Sequence, residues 1–396
     1  MEGIKDKVAI IGMGCTKFGE NWDMSLTDMV VDAAYEAFED AGIEPKDVQA
    51  AWLGTYMSGL SGQTLAKPLK LSYIPITRVE NMCATGSDAI RNAAYAVAAG
   101  VCDIALALGV EKLKDNGYSG LPDTELMQGL NFSENTYRSR TFTAPGHFAM
   151  MATAYFSKYG LSPEEGKKTL AMIEVKNHHN GSLHPKAHFQ QEVTLETVLN
   201  APIIAWPLGL FDCCGVSDGA AAAIVTRKDL AKNFRSDPVY IKALQIAVGP
   251  QEGYISTEYD WSYVEETFRA GQVAYQEAGI KNPRQEISIA EVHDCFSITE
   301  MVIYEDLQFS SRGRAKDDIE AGFFNLDGAL PVNTDGGLKC FGHPIGASGL
   351  RMMYEVYKQL QGKGGPRQIK NPTLGLTHNL GGTPGSATIS VLIVGN

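Results

Sequence analysis

No uninterrupted apolar run in the 396 residues comes near the roughly 20 needed to cross a bilayer, so no transmembrane helix is expected. The opening segment, MEGIKDKVAIIGMG, has no apolar signal core ending in a cleavage site, and a cytoplasmic location is expected. Positive charge is also short. Lys and Arg number 34 against 46 Asp and Glu, a net charge of −12, which argues against non-specific binding to nucleic acid or to an anionic membrane. A few local lysines would still suffice for an anionic cofactor. No Cys-x-x-Cys pair occurs among the seven cysteines (15, 83, 102, 213, 214, 295 and 340), so no zinc ribbon and no metal are expected within this chain. Their odd number and low density point to reduced thiols. A dinucleotide loop lacks its third glycine, because Gly12-Met13-Gly14 is followed by Lys17; a strand ending in a turn is the expected reading.

What is present is ample length and ordinary composition. At 396 residues, 44% apolar and 20% charged, the chain predicts two or three globular units with a large core. Val8 to Gly12 reads as a strand, and Ser25-Leu26-Thr27-Asp28 caps an amphipathic helix to about Ala41. Ala50 to Gly54 is a second strand. The stretch from Ala89 to Gly100 is small and apolar on nearly every face and predicts a helix buried all round, leading into a strand from Asp103 to Gly109. Alternating strands and helices with near-continuous apolar strands predict a mainly parallel α/β sheet covered on both faces. From about Asn116 to Ile203 the pattern changes to loops, aromatics and histidines, an insertion; Gly219 to Val225 resumes the regular pattern. Around Gly346-Ala347-Ser348-Gly349 a turn opens a helix (351–360) and then a strand (373–377), echoing the plan near Cys83. Two halves of one plan imply a duplication, with equivalent helix N-termini facing each other at the centre.

Four segments place Cys or His beside glycines at strand ends or helix starts: 81–87, 292–296, 336–349 and 378–385. The carboxyl ends of strands in such sheets are where ligands bind. Cys83 sits where a helix begins. A helix dipole contributes roughly 0.3–1 kcal/mol, under one pKa unit at about 1.36 kcal/mol each, so a usable thiolate also needs an imidazole. His343, fixed between Gly342 and Pro344, is the candidate base. A lone cysteine before a buried helix is ordinarily a small core residue; Cys295 beside His293 tips the reading to catalysis. Adjacent Cys213 and Cys214 read as buried strand-end residues. His178, His179, His184 and His188 lack a buried helical pair, since Pro185 interrupts the one i, i+4 spacing, and are not expected to bind metal. Lys167, Lys168, Arg138 and Arg140 suit either cofactor phosphates or a solvated face.

These motifs together resemble the thiolase superfamily along the whole chain. Asn81-Met82-Cys83-Ala84-Thr85-Gly86 resembles the segment around the family's nucleophilic cysteine, Ser217-Asp218-Gly219-Ala220-Ala221-Ala222 its strand-forming segment, and Gly342-His343-Pro344-Ile345-Gly346-Ala347-Ser348-Gly349 its Gly-His-Pro block. Two departures mark the branch. His293-Asp294-Cys295-Phe296 stands where many thiolases carry Asn-Glu-Ala-Phe, and Asn379-Leu380-Gly381-Gly382-Thr383 where many carry Cys-x-Gly-Gly-Gly. The second catalytic cysteine is thus at 295, as in the sterol-carrier or lipid-transfer type. The resemblance implies a thiolase-like α/β fold of two duplicated αβα halves forming a five-layered core. Its units would be 1–115 with 204–245, an inserted loop domain 116–203, and 246–396.

The resemblance further implies an acyltransferase that cleaves a 3-oxoacyl-CoA with CoA as co-substrate. Cys83 would attack the 3-keto carbon, His343 and His293 would hold the enolate's thioester oxygen, and Cys295 would protonate its carbon. The amides of Cys83 and Gly381 would stabilise the tetrahedral oxyanion. Aromatics of the insertion (Phe132, Tyr137, Phe142, Phe148, Tyr155, Phe156, Phe189) suit either a bulky acyl group or packing. Within the family, the catalytic subunit of benzoylsuccinyl-CoA thiolase is similar, implying benzoyl-CoA and succinyl-CoA as products in anaerobic toluene degradation. Alternatives are an acetoacetyl-CoA or fatty 3-oxoacyl-CoA thiolase, its reverse Claisen condensation, or a non-catalytic scaffold subunit. A homodimer is expected. The resemblance to the lipid-transfer type also implies a separate small zinc-ribbon, OB-fold partner; a fused carrier domain is not expected, as the last predicted strand, 389–394, runs almost to Asn396.

Overall fold

A computed structural model describes residues 3–116, 143–250 and 258–396. Its strands are β1 (Val8–Cys15), β2 (Ala50–Gly54), β3 (Ile76–Val79), β4 (Ile104–Glu111), β5 (Ile203–Ala205), β6 (Leu208–Gly209), β7 (Gly219–Arg227), β8 (Val239–Val248), β9 (Ile289–Glu291), β10 (Leu374–Gly381) and β11 (Thr388–Gly395). The longer described helices are α1 (Leu26–Ala41), α2 (Thr85–Ala98), α3 (Ala144–Tyr159), α4 (Pro163–Ser182), α5 (Glu265–Ala278), α6 (Ser297–Asp306) and α7 (Ser348–Leu360). Ser25 caps α1 through a reciprocal bond pair with Asp28, as its sequence predicts. β1 runs on through Gly12-Met13-Gly14 to Cys15, so no turn closes there.

Nine strands form one sheet in the order β3-β2-β4-β7-β1-β8-β11-β10-β9, with β5 and β6 a separate hairpin. Only β2–β3, β2–β4 and β9–β10 pair in parallel; the rest are antiparallel. This corrects the expectation of a mainly parallel sheet. The apolar runs of β7 and β11 report burial on both faces, which a strand of either direction meets here. Direction follows the connections: β7 returns after the long excursion beyond β4, and β11 folds back on β10 as a hairpin.

The duplication is visible in the strand order. From one side it runs β2-β4-β7-β1 and from the other β9-β10-β11-β8, each parallel, then antiparallel, then antiparallel. The halves join through two residue pairs, Ala9 with Tyr240 and Ile10 with Val239. Helix α1 covers the outer face of the first half, packing on Ala9, Ile11, Leu106 and Ile224. Helix α5 covers the second half with Ala270, Ala274 and Tyr275 against Ala243, Val391 and Ile393. Helices α2 and α7 lie between, sharing one core with Ile10, Ala107, Ala223, Leu392 and Val394 from both halves. Five layers result. The two central helices start against each other, since a Cβ on Gly86 would lie 3.0 Å from the Leu350 nitrogen.

Which central helix is buried differs from expectation. Helix α2 leaves Arg91, Asn92 and Tyr95 partly open, whereas all of α7 except Lys358 is buried, including Arg351, Glu355 and Gln359. A small-residue helix needs less cover than a polar one whose charges are paired inside.

Candidate active site

Cys83 lies between β3 and α2, in a tight turn where Ala84 N–H donates to Asn81 O at 3.0 Å and Thr85 N–H to Met82 O at 3.0 Å. Met82, just before it, holds φ at +51°, a conformation that a side chain of this kind rarely adopts. Asn81 is tied down by its N–H to Thr85 Oγ1 and its Nδ2 to Asp88, both at 2.8 Å. The turn thus presents a partly buried sulfur at the start of the central helix.

His343 reaches that sulfur from the other half, Nε2 to Cys83 Sγ at 3.1 Å. Its Nδ1 meets Ser348 Oγ at 2.7 Å, and Ser348 Oγ donates to the Pro344 carbonyl at 2.9 Å. Because the serine proton is committed to that carbonyl, Nδ1 must carry hydrogen and donate. Nε2 is left with a lone pair facing the thiol. Ser348 is thus the group that orients the base, five residues after it in the same motif.

His293 stands at the head of this pair. Its ring meets His343 edge-on at 5.3 Å between centroids, and both of its nitrogens are buried without a hydrogen-bond partner. Two buried ring nitrogens without a protein partner are costly unless a ligand or water completes them. Cys83, His293 and His343 bring one ligand atom each within 4.8 Å of one another.

Cys295 is buried just before α6, its sulfur 4.0 Å from Thr299 Oγ1. Burial raises its pKa well above the ordinary thiol value, and the neighbouring Cys214 and Cys83 sulfurs push it further. The backbone of Cys214 donates to the Cys295 carbonyl at 2.9 Å. Cys214 is therefore a neighbour of the site, which adjacency to Cys213 gave no reason to expect.

Burial likewise pushes the Cys83 thiol up to about 12, against the downward pull of the Gly382 N–H and its own N–H on the sulfur. Burial, with the positive Arg351 nearby, holds His343 down at about 3. At neutral pH the pair rests as thiol and imidazole, and the proton moves only when an acceptor carbon arrives. Alkylation of Cys83 by iodoacetamide is accordingly expected to rise about tenfold per pH unit between pH 6 and 9. A plateau above an inflection below pH 7 would instead show a resting thiolate–imidazolium pair.

The amide directed at the sulfur is that of Gly382, with φ at +99°. Gly381 next to it lets β10 close on the nucleophile turn, since a Cβ there would sit 2.3 Å from Asn81 O. Asn379 is committed elsewhere, accepting from Ser87 Oγ at 2.7 Å and donating to Met352 Sδ at 3.2 Å. Other sequence candidates fall away from the site. Lys167 is buried against Asp212. Arg138, Arg140, Phe132, Tyr137 and Phe142 lie outside the described residues. A groove of about 1250 Å³, lined by Met172, Asn180, Tyr304, Phe324 and Asn371, holds none of the four Cys and His residues above.

A partly buried thiol, an imidazole oriented toward it and a second imidazole without a protein partner, at the meeting of two duplicated halves, agree with the family models that match this chain. Residues 8–229 match the thiolase N-terminal domain, and residues 247–394 the thiolase C-terminal domain-like model. The chain belongs to the thiolase family. It is an acyltransferase whose substrates are acyl-CoA and CoA. It is 39% identical over 390 residues to an acetyl-CoA acetyltransferase of Methanothermobacter thermautotrophicus, covering 97% of this chain and 98% of that protein. It is 32% identical over 384 residues to the benzoylsuccinyl-CoA thiolase subunit BbsB of Thauera aromatica, covering 96% of each. Among solved structures it is similar to the Ltp2-ChsH2(DUF35) aldolase, with a TM-score of 0.83 and 27% identity over 99% of this chain and 98% of that one. Within this thiolase, no described helix is long and apolar enough to cross a membrane. All seven cysteines are free.

Proposed function

We propose that this thiolase interconverts a short 3-oxoacyl-CoA plus CoA with two acyl-CoA molecules, acetoacetyl-CoA and acetyl-CoA being the fitting pair. The observation that carries the reading is the Cys83–His343 contact at 3.1 Å, with the imidazole oriented by Ser348. The short acyl group is supported by the acetyl-CoA acetyltransferase relative, at 39% identity against 32% for the benzoylsuccinyl-CoA thiolase subunit. The described aromatics of the insertion add no weight to an aromatic acyl group. Phe148 stacks on Phe296 at 4.4 Å, Tyr155 packs with Tyr159 and Phe156 is buried beneath Gly166.

In the cleavage direction His343 Nε2 takes the Cys83 proton as the sulfur bonds to the 3-keto carbon. The backbone N–H groups of Cys83 and Gly382, directed at the sulfur, are placed to donate to the resulting oxyanion, a type of contact worth about 3–4 kcal/mol. As the carbon–carbon bond breaks, its electron pair passes into an enolate. Protonated His343 and the open His293 donate to the enolate's thioester oxygen, and the Cys295 thiol protonates its carbon. Cys295 then takes the proton of the incoming CoA thiol, and His343 returns its own to Cys83 as the acyl group departs. Every proton is restored.

A homodimer belongs to this proposal. β3 is a sheet edge flanked by fully exposed Leu60 and Tyr73, apolar surface that a second copy would cover. A small zinc-ribbon partner also belongs to it, supported by the two-component name of the Ltp2-ChsH2(DUF35) aldolase. The cytoplasm is the proposed location.

The test is turnover of acetoacetyl-CoA, a long-chain 3-oxoacyl-CoA and benzoylsuccinyl-CoA by the purified chain, alone and with a co-expressed partner. Acetoacetyl-CoA is expected to be cleaved fastest. Preference for benzoylsuccinyl-CoA would overturn the short-chain assignment, and no acyl transfer in any arm would favour a scaffold. In the same assay Cys295→Ser should lose deuterium exchange at the substrate α-carbon by roughly 10²–10⁴-fold while Cys83 still accepts an acyl group. Unchanged exchange would assign the acid to another group.

A further inference from the structure

Cys83, His293 and His343 form the one group of three among the described residues whose ligand atoms could converge on an ion. From this geometry we infer that the three side chains are an inhibitory site for a thiophilic divalent cation, Zn²⁺ foremost, bound in place of substrate. The donor set is a thiolate and two imidazoles, the ligands zinc prefers, and three protein ligands leave a fourth position open. Around a tetrahedral zinc such atoms stand roughly 3.3–3.6 Å apart, given Zn–S of about 2.3 Å and Zn–N of about 2.0–2.1 Å. Cys83 Sγ and His343 Nε2 are 3.1 Å apart, and no atom of the three is more than 4.8 Å from another. The remainder requires a shift of the His293 side chain toward the pair.

The environment favours binding without a large rearrangement. His343 already offers the Nε2 lone pair, its other nitrogen fixed by Ser348 as outer partners fix metal-bound histidines. His293 has no hydrogen bond to a protein group to break at either nitrogen and is fully buried. That same lack of an outer partner separates the site from one built to hold a resident metal, where the second nitrogen is normally anchored. Binding is therefore reversible and competitive. Its balance is simple: the cation displaces one proton from the Cys83 thiol to solvent, both imidazoles enter neutral, and nothing is oxidised or reduced. The histidines of the insertion are engaged elsewhere: His147 bonds to Thr143 O, His178 to Gln191 O, His179 to Glu192 and His188 to Ser217, while His184 accepts from Lys186 N–H.

Metal-free protein titrated with ZnCl₂ or CoCl₂ tests the inference, and neither readout uses substrate, so the result is independent of which acyl-CoA the enzyme cleaves. One equivalent is expected per chain. Cobalt should give a thiolate-to-metal charge-transfer band with the visible bands of a four-coordinate ion. Zinc should slow iodoacetamide alkylation of Cys83 by at least tenfold, with EDTA restoring it, and His293→Asn should weaken binding at least tenfold. The inference is overturned if wild-type protein shows no charge-transfer band or if zinc leaves Cys83 alkylation unchanged. Equal binding by wild type, Cys83→Ala and His293→Asn would also overturn it, placing the ion at another site such as Cys213 and Cys214.

Discussion

Cys83→Ala is expected to lower thiolysis by roughly 10⁴-fold or more, because among the described residues no other thiol is held against an oriented imidazole. The fold should survive. The substitution removes one partly buried sulfur and its contact to His343 Nε2, a loss of about 1 kcal/mol, and leaves the Asn81, Thr85 and Asp88 bonds of the turn in place. Mass spectrometry of wild-type protein incubated with a 3-oxoacyl-CoA should locate the acyl adduct on the Cys83 peptide, with none in the variant. An adduct on Cys295 or Cys214 in wild type would overturn the assignment, since both lie beside the site.

Arg351→Met should be the most damaging change to stability, costing about 3–5 kcal/mol. Arg351 is fully buried on α7, where its Nη1 bonds Glu291 at 2.9 Å and Asp335 at 2.5 Å. Methionine fills much of the volume but leaves two buried carboxylates facing each other without a cation. Those carboxylates also shape the path to the base. Glu291 accepts from Thr334 N–H at 2.8 Å and Asp335 from Gly337 N–H at 2.9 Å, in the turn that leads through 337–340 to His343. Urea unfolding should show the loss, and kcat should fall with it as His343 loosens. A change below about 1 kcal/mol would mean that the carboxylates are neutralised or hydrated without the arginine. The double variant Arg351→Met, Asp335→Asn should regain part of the stability, because Asp335 is the carboxylate held below its ordinary range by Arg351, while burial and Asp335 push Glu291 well above it.

The chemistry-bearing residues were legible because their constraints are local. A cysteine before a helix and a histidine locked between Gly342 and Pro344 are marked by backbone requirements written in consecutive residues, whereas the part Ser348 plays in orienting His343 emerged only from the structure. The duplication was legible for the same reason, as a turn–helix–strand plan met twice. Sheet direction was not: the apolar runs of β7 and β11 record burial on two faces, and whether a strand runs up or down is set by where its connection emerges. Nor could periodicity foresee that α7 buries Arg351, Glu355 and Gln359, since a polar helix face looks solvated until partners from Glu291, Asp335 and Arg367 are brought to it. The site itself divides along this line. Sequence by itself singled out Cys83 and His343 as the candidate nucleophile and base. That they meet at 3.1 Å across 260 residues, with His293 open above them, Gly382 aimed at the sulfur and Cys214 against Cys295, was decided only by packing α2 against α7 between two half-sheets. Distance between remote residues is a property of packing, and no local pattern encodes it.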